Sequence, residues 1–548
     1  MARVIVTSAL PYAYSVPHLG NFVGSVLPAD VYYKYLRMNG DDAIFVCGSD
    51  QHGTPIELAA VKKGVEPAVL ADEMHQTIKT LFERYECTFT YYGKTHTEEN
   101  KEVAYSFFNE LYNNGYISEH EDMQAYCNID KRFLTDRFIQ GTCPYCHKKS
   151  ARGDQCDSCN RLLEPSQIID PFCAICGKSD ITFKKTKNLA FDLNKLQDEL
   201  RDFIKRNGKY NWSRDAVNKS LSMIKEGLRP RDITRNMNWG FQVPLSGYEN
   251  SRIYVWFDAV GGYIGITKEW DSRKWRDYWQ NEHTQLVQFL GKDNTLFHTI
   301  IWPAMIIGSK LGFVLPHTIK ESQFLNFEGK KFSKSNKVGI WLDEALRIMP
   351  ADYWRFALMY AYPETADSDF TRRGFADAVD TIMNDKIGNF AQRVLKLAAA
   401  NRQLVEQGIV PESEKRVKAE LEKYTAAFGK LQLKKAIAAV VGLAEQGNRI
   451  MSEKEPWLLA KAAKTDAKAA GEAKDVFSSL IAITFALGVM LYPFTPEASR
   501  KLLAHFKVVA EPTLALLSGA TELDLEREPK PLFSKLTADE MEKLRKYA

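Results

Sequence analysis

The chain has 548 residues, too many for one hydrophobic core, and its length corresponds to roughly three to four structural units. Hydrophobic residues make up 45% and charged residues 26%, the balance of a folded globular protein, which excludes a disordered or fibrous chain. With 73 Lys and Arg against 69 Asp and Glu the net charge is only +4, so no global positive field marks a nucleic-acid binder and any RNA contact must use local patches.

In chain order, residues 3–7 (RVIVT) read as a short strand, and a helical pattern follows from His18 to Met38 until Asn39 and Gly40 stop it. Ala43 to Cys47 is a second apolar strand ending in Gly48, Ser49 and Asp50, and helical stretches over 66–86 and 97–114 alternate with a further strand. Such alternation predicts an α/β fold, a Rossmann-like doubly wound parallel sheet with helices on both faces. From Ser118 to Gly240 the pattern breaks into cysteine pairs, Gly-Asp turns and short irregular segments, the mark of an insertion. It resumes with IYVWFDA (253–259), read as a strand, then QLVQFL (285–290), a Gly-Lys-Asp-Asn turn and an apolar helix from Leu296 to Leu311, so the same sheet is completed after the insert. A lysine-rich loop, EGKKFSKSNK (328–337), leads through mixed structure to Phe375, and the Ala-, Leu-, Lys- and Glu-rich segments beyond predict a bundle of amphipathic helices. The longest apolar run, Val476 to Phe494, has the ~18-residue length of a membrane span. It holds Ser478, Ser479, Thr484 and Gly488 between polar helical stretches, which fits the central helix of a bundle. The opening MARVIVTSALPY has no basic region followed by an apolar run and a cleavage site, so a cytoplasmic protein without membrane association is expected.

Seven of the nine cysteines lie between Cys127 and Cys176, and in such a chain that clustering points to metal rather than disulfides. Cys143-x-x-Cys146 and Cys156-x-x-Cys159, separated by nine residues, have the spacing of a closed tetrahedral Zn²⁺ site with four thiolates. No position is left open, so its role is structural.

Two segments carry the chemistry. In PYAYSVPHLGN, Pro11 to Asn21, a strand gives way to a helix whose first turn holds His18, Gly20 and Asn21. Exposed backbone N–H groups there favour an anion, His18 and Asn21 share a face, and Gly20 lets a flat ring approach the backbone. KKFSKS (330–335) sets Lys331 and Lys334 in a loop bounded by Gly329 and Gly339, where they can close over phosphates and neutralise a departing pyrophosphate. Alone, the first has a plain reading as a Pro-punctuated turn and the second as a solvated basic loop; their order along the chain makes them a pair.

That pair resembles the HIGH and KMSKS signatures of class I aminoacyl-tRNA synthetases. ALPYAYSVPHLGN, GSDQHGTPIE, GTCPYC, GDQCDSC, YVWFDAVGGYIG, GKDNTLFHTIIWPAM and KFSKS, in this order, resemble the methionyl-tRNA synthetase family over essentially the whole chain. The HLGN form resembles its archaeal and eukaryotic branch, with Asn21 in place of a second His; an amide can donate a hydrogen bond to phosphate but carries no positive charge.

The resemblance implies an aromatic pocket for methionine built from Tyr12, Trp256, Tyr263, His298 and Trp302. Sulfur beside aromatic rings gains roughly 0.3–1.5 kcal/mol per contact. It also implies that the Leu10 backbone and the Tyr263 hydroxyl touch the sulfur, that Ala259 and Val260 form the wall, and that Asp50 holds the substrate ammonium. For ATP it assigns His18, Gly20, Asn21, Gly291, Lys292, Asp293, Lys331 and Lys334, with Mg²⁺ as the catalytic ion. His18, Asn21, Lys331 and Lys334 are the implied catalytic residues. A second Zn²⁺ is expected on Cys127, Asp130, Cys173 and Cys176, three thiolates and one carboxylate. Asn389, Arg393 and Trp457 match the positions that read the anticodon of tRNA(Met).

The expected division is a first catalytic half over 1–117, a connective insert with zinc knuckles over 118–240, a second catalytic half over 241–327, a stem-contact region with the KFSKS loop over 328–375, and an anticodon-binding bundle over 376–548. The chain is expected to be a monomer. Other readings are a class I synthetase for another amino acid, a related nucleotidyltransferase, or a non-catalytic RNA-binding adaptor.

Overall fold

The computed structural model describes residues 3–135, 138–153, 156, 158, 159, 161, 163, 165–210, 212–333 and 338–547. Its first unit is β1 (Arg3–Ser8), whose Val, Ile and Thr side chains are buried from Val4 to Ser8. Burial on both faces is the condition of a parallel strand covered by helices. The chain then enters α1 (Leu19–Asn21), passes a π-helical turn and continues as α2 (Leu27–Asn39). Gly40 ends it in the left-handed region at φ 83°, donating to the Arg37 and Leu36 carbonyls, a conformation that glycine adopts without steric cost.

Next come β2 (Asp42–Ser49), α3 (Pro67–Arg84), β3 (Tyr91–Lys94) and α4 (Glu98–Asn113). The insert opens with β4 (Ile117–Cys127), which pairs antiparallel with β5 (Ile181–Phe191) from Ile117 opposite Phe191 to Cys127 opposite Ile181. This regular ribbon and two helices, Gln197–Asn207 and Arg214–Glu226, replace the irregular segments expected there, and the cysteine clusters sit at the ribbon's far end.

The segment IYVWFDA differs from its reading as a strand. Only Arg252–Ile253 is extended; from Val255 the chain is helical, α5 (Val255–Trp270). Trp256, Phe257, Asp258, Val260, Tyr263, Ile264 and Ile266 are all buried, so no polar face imposes a helical period on the sequence, and a short apolar run of this kind has the pattern of a buried strand. Glycine makes that burial possible: a Cβ on Gly265 would lie 2.7 Å from Asn100 Cα of α4.

The sheet is completed by β6 (Thr284–Gly291) and β7 (Pro316–Ser322), with a π-helical turn at Phe297–Ile301 and α6 (Trp302–Ser309) between them. The order is β7-β6-β1-β2-β3, every pair parallel. The chain leaves β1 towards β2 on one side and returns as β6 on the other, so a crevice opens at the carboxyl ends of β1 and β6 where the winding reverses. Beyond it, α7 (Ala351–Tyr360) leads to the helices α8 (Asn389–Ala400), α9 (Leu433–Lys454), α10 (Pro456–Ala462), α11 (Ala467–Leu491) and α12 (Pro496–Leu503). Helix α11 is long and apolar enough to cross a membrane, and 78% of its most apolar window is buried in the protein, the central bundle position expected from its sequence.

Candidate active site

The carboxyl ends of β1, β2 and β6 bring the predicted residues together. After β1 the chain runs alongside the end of β2: Asp50 N donates to the Pro11 carbonyl at 2.9 Å, Ala13 N donates to the Asp50 carbonyl at 2.8 Å, and Tyr12 and Asp50 form a parallel bridge. Asp50 is only 4% exposed, whereas the Tyr12 ring is 44% exposed and stands at the mouth. Burial, and then the nearby Asp258 carboxylate, push the Asp50 carboxyl well above the usual range, the condition of an acid awaiting a cation.

Helix α5 supplies Trp256, Ala259, Val260 and Tyr263, and it packs beside Leu10, whose Cδ1 lies 3.5 Å from where a Cβ on Gly262 would sit. The Tyr263 hydroxyl is 2.8 Å from His298 Nε2, and His298 Nδ1 is 3.0 Å from the Asn294 carbonyl. A carbonyl only accepts, so Nδ1 carries the proton and Nε2 accepts from Tyr263. Burial lowers His298 from 6.5 to about 4, so the ring is neutral. Trp302, one turn further on, is fully buried with its ring against Phe107 at 5.5 Å and Trp279 at 6.3 Å; it backs the pocket from within the core.

The HLGN turn is closed by its own side chains. Asn21 N donates to His18 Nδ1 at 3.2 Å and His18 N donates to Asn21 Oδ1 at 3.1 Å, a reciprocal cap. His18 therefore keeps its proton on Nε2, and burial holds it neutral, with a pKa of about 4. Only the Nδ2 end of Asn21 is left to meet an incoming anion.

The lysine loop reaches this turn. Phe332 stacks on His18, ring centroids 4.3 Å apart and planes 8° from parallel, and a Cβ on Gly20 would come within 3.2 Å of it. Leu19 N donates to the Ile340 carbonyl at 3.1 Å and Leu342 N to the Pro17 carbonyl at 3.0 Å. Gly339, at φ 117°, allows the return, since a Cβ there would strike Phe332 at 2.2 Å. The Phe332 side chain of the loop therefore lies over Gly20. In the Gly291-Lys292-Asp293 turn, Lys292 Nζ holds Asp367 at 2.5 Å, and Lys331 is near enough to lower the same carboxyl. Two predicted phosphate-binding lysines therefore converge on one anion. Asp293 is exposed beside Gly291, and Lys334 lies outside the described residues.

Both cysteine sets assemble. The donor atoms of Cys143, Cys146, Cys156 and Cys159 all lie within 4.8 Å of one another, as do those of Cys127, Asp130, Cys173 and Cys176. Sulfur separations are 3.9 Å for Cys143–Cys159, 3.6 Å for Cys146–Cys156 and 3.7 Å for Cys127–Cys176. A tetrahedron of thiolates around zinc has edges of about 3.8 Å, so these donors could hold the ion. Asp130 Oδ2 is 3.6 Å from Cys127 Sγ and 3.0 Å from Cys173 Sγ, the place of a fourth ligand.

In the helical region the Arg393 guanidinium lies 5.8 Å from the centre of the Trp457 ring, which is 41% exposed, and Asn389 stands one turn before Arg393 with its amide on Asp385 at 3.2 Å.

Three residues of the site escaped the sequence reading. His52 Nδ1 meets Asp258 Oδ2 at 2.6 Å, and His52 Nε2 meets His96 Nδ1 at 2.8 Å. His52 and Asp258 fall inside the quoted segments GSDQHGTPIE and YVWFDAVGGYIG, 206 residues apart, and only the fold joins them.

Known proteins resemble this chain along nearly its whole length. Residues 4–395 match the family described as tRNA synthetases class I (M), and residues 406–547 match the anticodon binding domain of methionyl tRNA ligase. The methionine–tRNA ligase of Ignicoccus hospitalis is 43% identical, covering 99% of this chain and 97% of its own, and that of Caldivirga maquilingensis is 42% identical over 98% and 92%. The fold is that of Mycobacterium tuberculosis methionyl-tRNA synthetase, solved in complex with methionyl-adenylate, with a TM-score of 0.78 at 22% identity over 97% of this chain and 100% of that one. On the family match and the full-length identity, the chain belongs to the methionyl group of class I tRNA synthetases.

Proposed function

We propose that the crevice at the carboxyl ends of β1, β2 and β6 activates L-methionine with ATP and passes the methionyl group to tRNA(Met). The meeting of the HLGN turn and the lysine loop, seen in the stack of Phe332 on His18, carries this reading. Asp50 anchors the ammonium, the pocket of Tyr12, Trp256, Val260, Tyr263 and His298 takes the thioether, and the Leu10 backbone flanks the sulfur. The substrate carboxylate then faces the α-phosphate of an ATP lying along the HLGN turn and the Gly291-Lys292-Asp293 turn.

A carboxylate oxygen attacks the α-phosphorus in line; the bond to the bridging oxygen of the β-phosphate breaks, and pyrophosphate leaves. No general base is needed, since the nucleophile is already ionised at neutral pH, and rate comes from positioning and neutralised charge. Neutral His18 serves as an Nε2–H donor, not as a cation. Lys292 exchanges Asp367 for phosphate oxygens, Lys331 joins it there, and Lys334 is assigned the same task by the family pattern. Mg²⁺ would bind the phosphates and neutralise them further. The terminal ribose hydroxyl of the tRNA next attacks the methionyl carbonyl, and AMP departs. The two zinc-type clusters hold the end of the β4–β5 ribbon. Asn389, Arg393 and Trp457 offer hydrogen bonds and a stacking face to anticodon bases; such a stack contributes about 1–3 kcal/mol per base.

The test is ATP–pyrophosphate exchange with each amino acid in turn. Exchange with methionine, lost on Lys331→Ala, is the expected result. Exchange with another amino acid and none with methionine would overturn the assignment of the pocket.

A further inference from the structure

We propose that Asp258 is a positioning residue: acting through His52 and through its own charge, it makes Asp50 a selective anchor for the substrate's ammonium group. The proposal rests on the reading of Asp50 given above and goes one step deeper into that site.

Asp258 is fully buried on α5, immediately before the lining residues Ala259 and Val260. Its Oδ2 holds His52 Nδ1 at 2.6 Å, whereas its Oδ1 is buried with no hydrogen-bond partner among the described residues. Leaving such a buried atom unpaired costs about 1–3 kcal/mol. An oxygen left bare beside a second buried carboxylate keeps its field for something that arrives later.

His52 cannot swing away from this pair. Its ring is braced edge-on by Phe241 at 4.6 Å and Trp239 at 5.5 Å, and His96 holds its other nitrogen at 2.8 Å. With the ring fixed, the His52 backbone N–H points at Asp50 Oδ1, 3.3 Å away. Asp258 thus sets where the Asp50 carboxylate sits. Its charge also adds to that of Asp50, since the two are close enough for Asp258 to oppose ionisation of Asp50 in the empty site. A ligand bringing a positive charge relieves that repulsion, and a ligand without one does not. The arrangement therefore favours an amino acid over the corresponding carboxylic acid by more than one carboxylate could.

Calorimetric titration with two methionine analogues tests this. L-Methioninol keeps the ammonium and lacks the carboxylate; γ-methylthiobutyrate keeps the carboxylate and lacks the ammonium. Asp258→Asn should weaken L-methioninol by about tenfold or more and γ-methylthiobutyrate by less than about twofold, and Asp258→Glu should recover most of the loss. ATP binding, measured on the same samples, should not change. Equal losses for both analogues, or none for L-methioninol, would overturn the proposal. If Asp258→Asn does not fold, His52→Gln is measured instead; it leaves the charge but frees it from its brace, and the same selective loss is expected. Asp50→Asn separates the two levels of inference. If it binds L-methioninol like the wild type, the site reading itself fails; if it loses L-methioninol while Asp258→Asn does not, only the role of Asp258 falls.

Discussion

His298 shows how one hydrogen bond fixes the state of a pocket. Because Nδ1 must donate to the Asn294 carbonyl, Nε2 of the neutral ring accepts from Tyr263, and a second proton on the ring would make Nε2 a donor and force the Tyr263 hydroxyl to turn its proton elsewhere. Burial moves the pKa to about 4 from 6.5, which keeps that proton away throughout the neutral range. The contribution of His298 to the KM for methionine should therefore stay flat between pH 8 and 5 and rise only as the pH nears 4, read from initial rates of pyrophosphate exchange by wild type and His298→Asn. A rise of about fourfold between pH 7.5 and 6.0 that His298→Asn abolishes would mean that His298 titrates near its ordinary value. The same shift acts on folding. The depressed pKa contributes stability that is complete above 6.5 and drains as the pH falls towards 4, on the order of 3 kcal/mol for this fully buried ring. The sequence marks His298 only by its family position; that it is neutral, and through which nitrogen, depends on a carbonyl one turn away.

At the scale of elements, the insert is where local sequence says most. The C-x-x-C pairs specify their own loops, each pair closing a turn in which a backbone N–H reaches a sulfur, as Tyr145 N does with Cys143 at 3.4 Å and Ile175 N with Cys173 at 3.4 Å. The pairing of Cys127 and Asp130 with Cys173 and Cys176 is less local, because it needs the β4–β5 ribbon to bring residues 49 apart together. Metal analysis of the purified protein should give two zinc ions per chain. Asp130→Ala should lower this towards one and Asp130→Cys should keep it at two, while Cys143→Ser should release the other ion. Two ions retained by Asp130→Ala would remove the carboxylate from the ligand set. Helix α5 is the opposite case: its apolar face extends all round, and its closeness to α4 depends on Gly265 meeting Asn100, a contact that no pattern within α5 reveals.

Across the whole molecule, one arginine ties the first helices of the site to the carboxyl-terminal bundle. Arg355 of α7 is fully buried, and its guanidinium donates to Asp30 of α2 at 2.7 Å, to the Tyr85 carbonyl at 3.0 Å and to the Pro493 and Phe494 carbonyls at 2.6 and 3.2 Å. Asp30 is also held by Lys34 at 2.7 Å and by Thr88 N at 2.7 Å. In sequence, Arg355 is a charge in an apolar helix, and its partner lies 325 residues away, so neither pattern nor spacing exposes the link. Removing one member of such a buried network leaves the rest uncompensated and costs about 3–5 kcal/mol. Arg355→Met and Asp30→Asn should each lower the urea midpoint strongly. Because both break the same interaction, the double variant should be little worse than either alone, the signature of direct coupling. Additive losses would separate the two residues energetically. The coupling would also be visible at the site, since α2 continues from the HLGN turn: in Arg355→Met the KM for ATP should rise together with that for tRNA, whereas a change confined to the bundle would move the tRNA value alone.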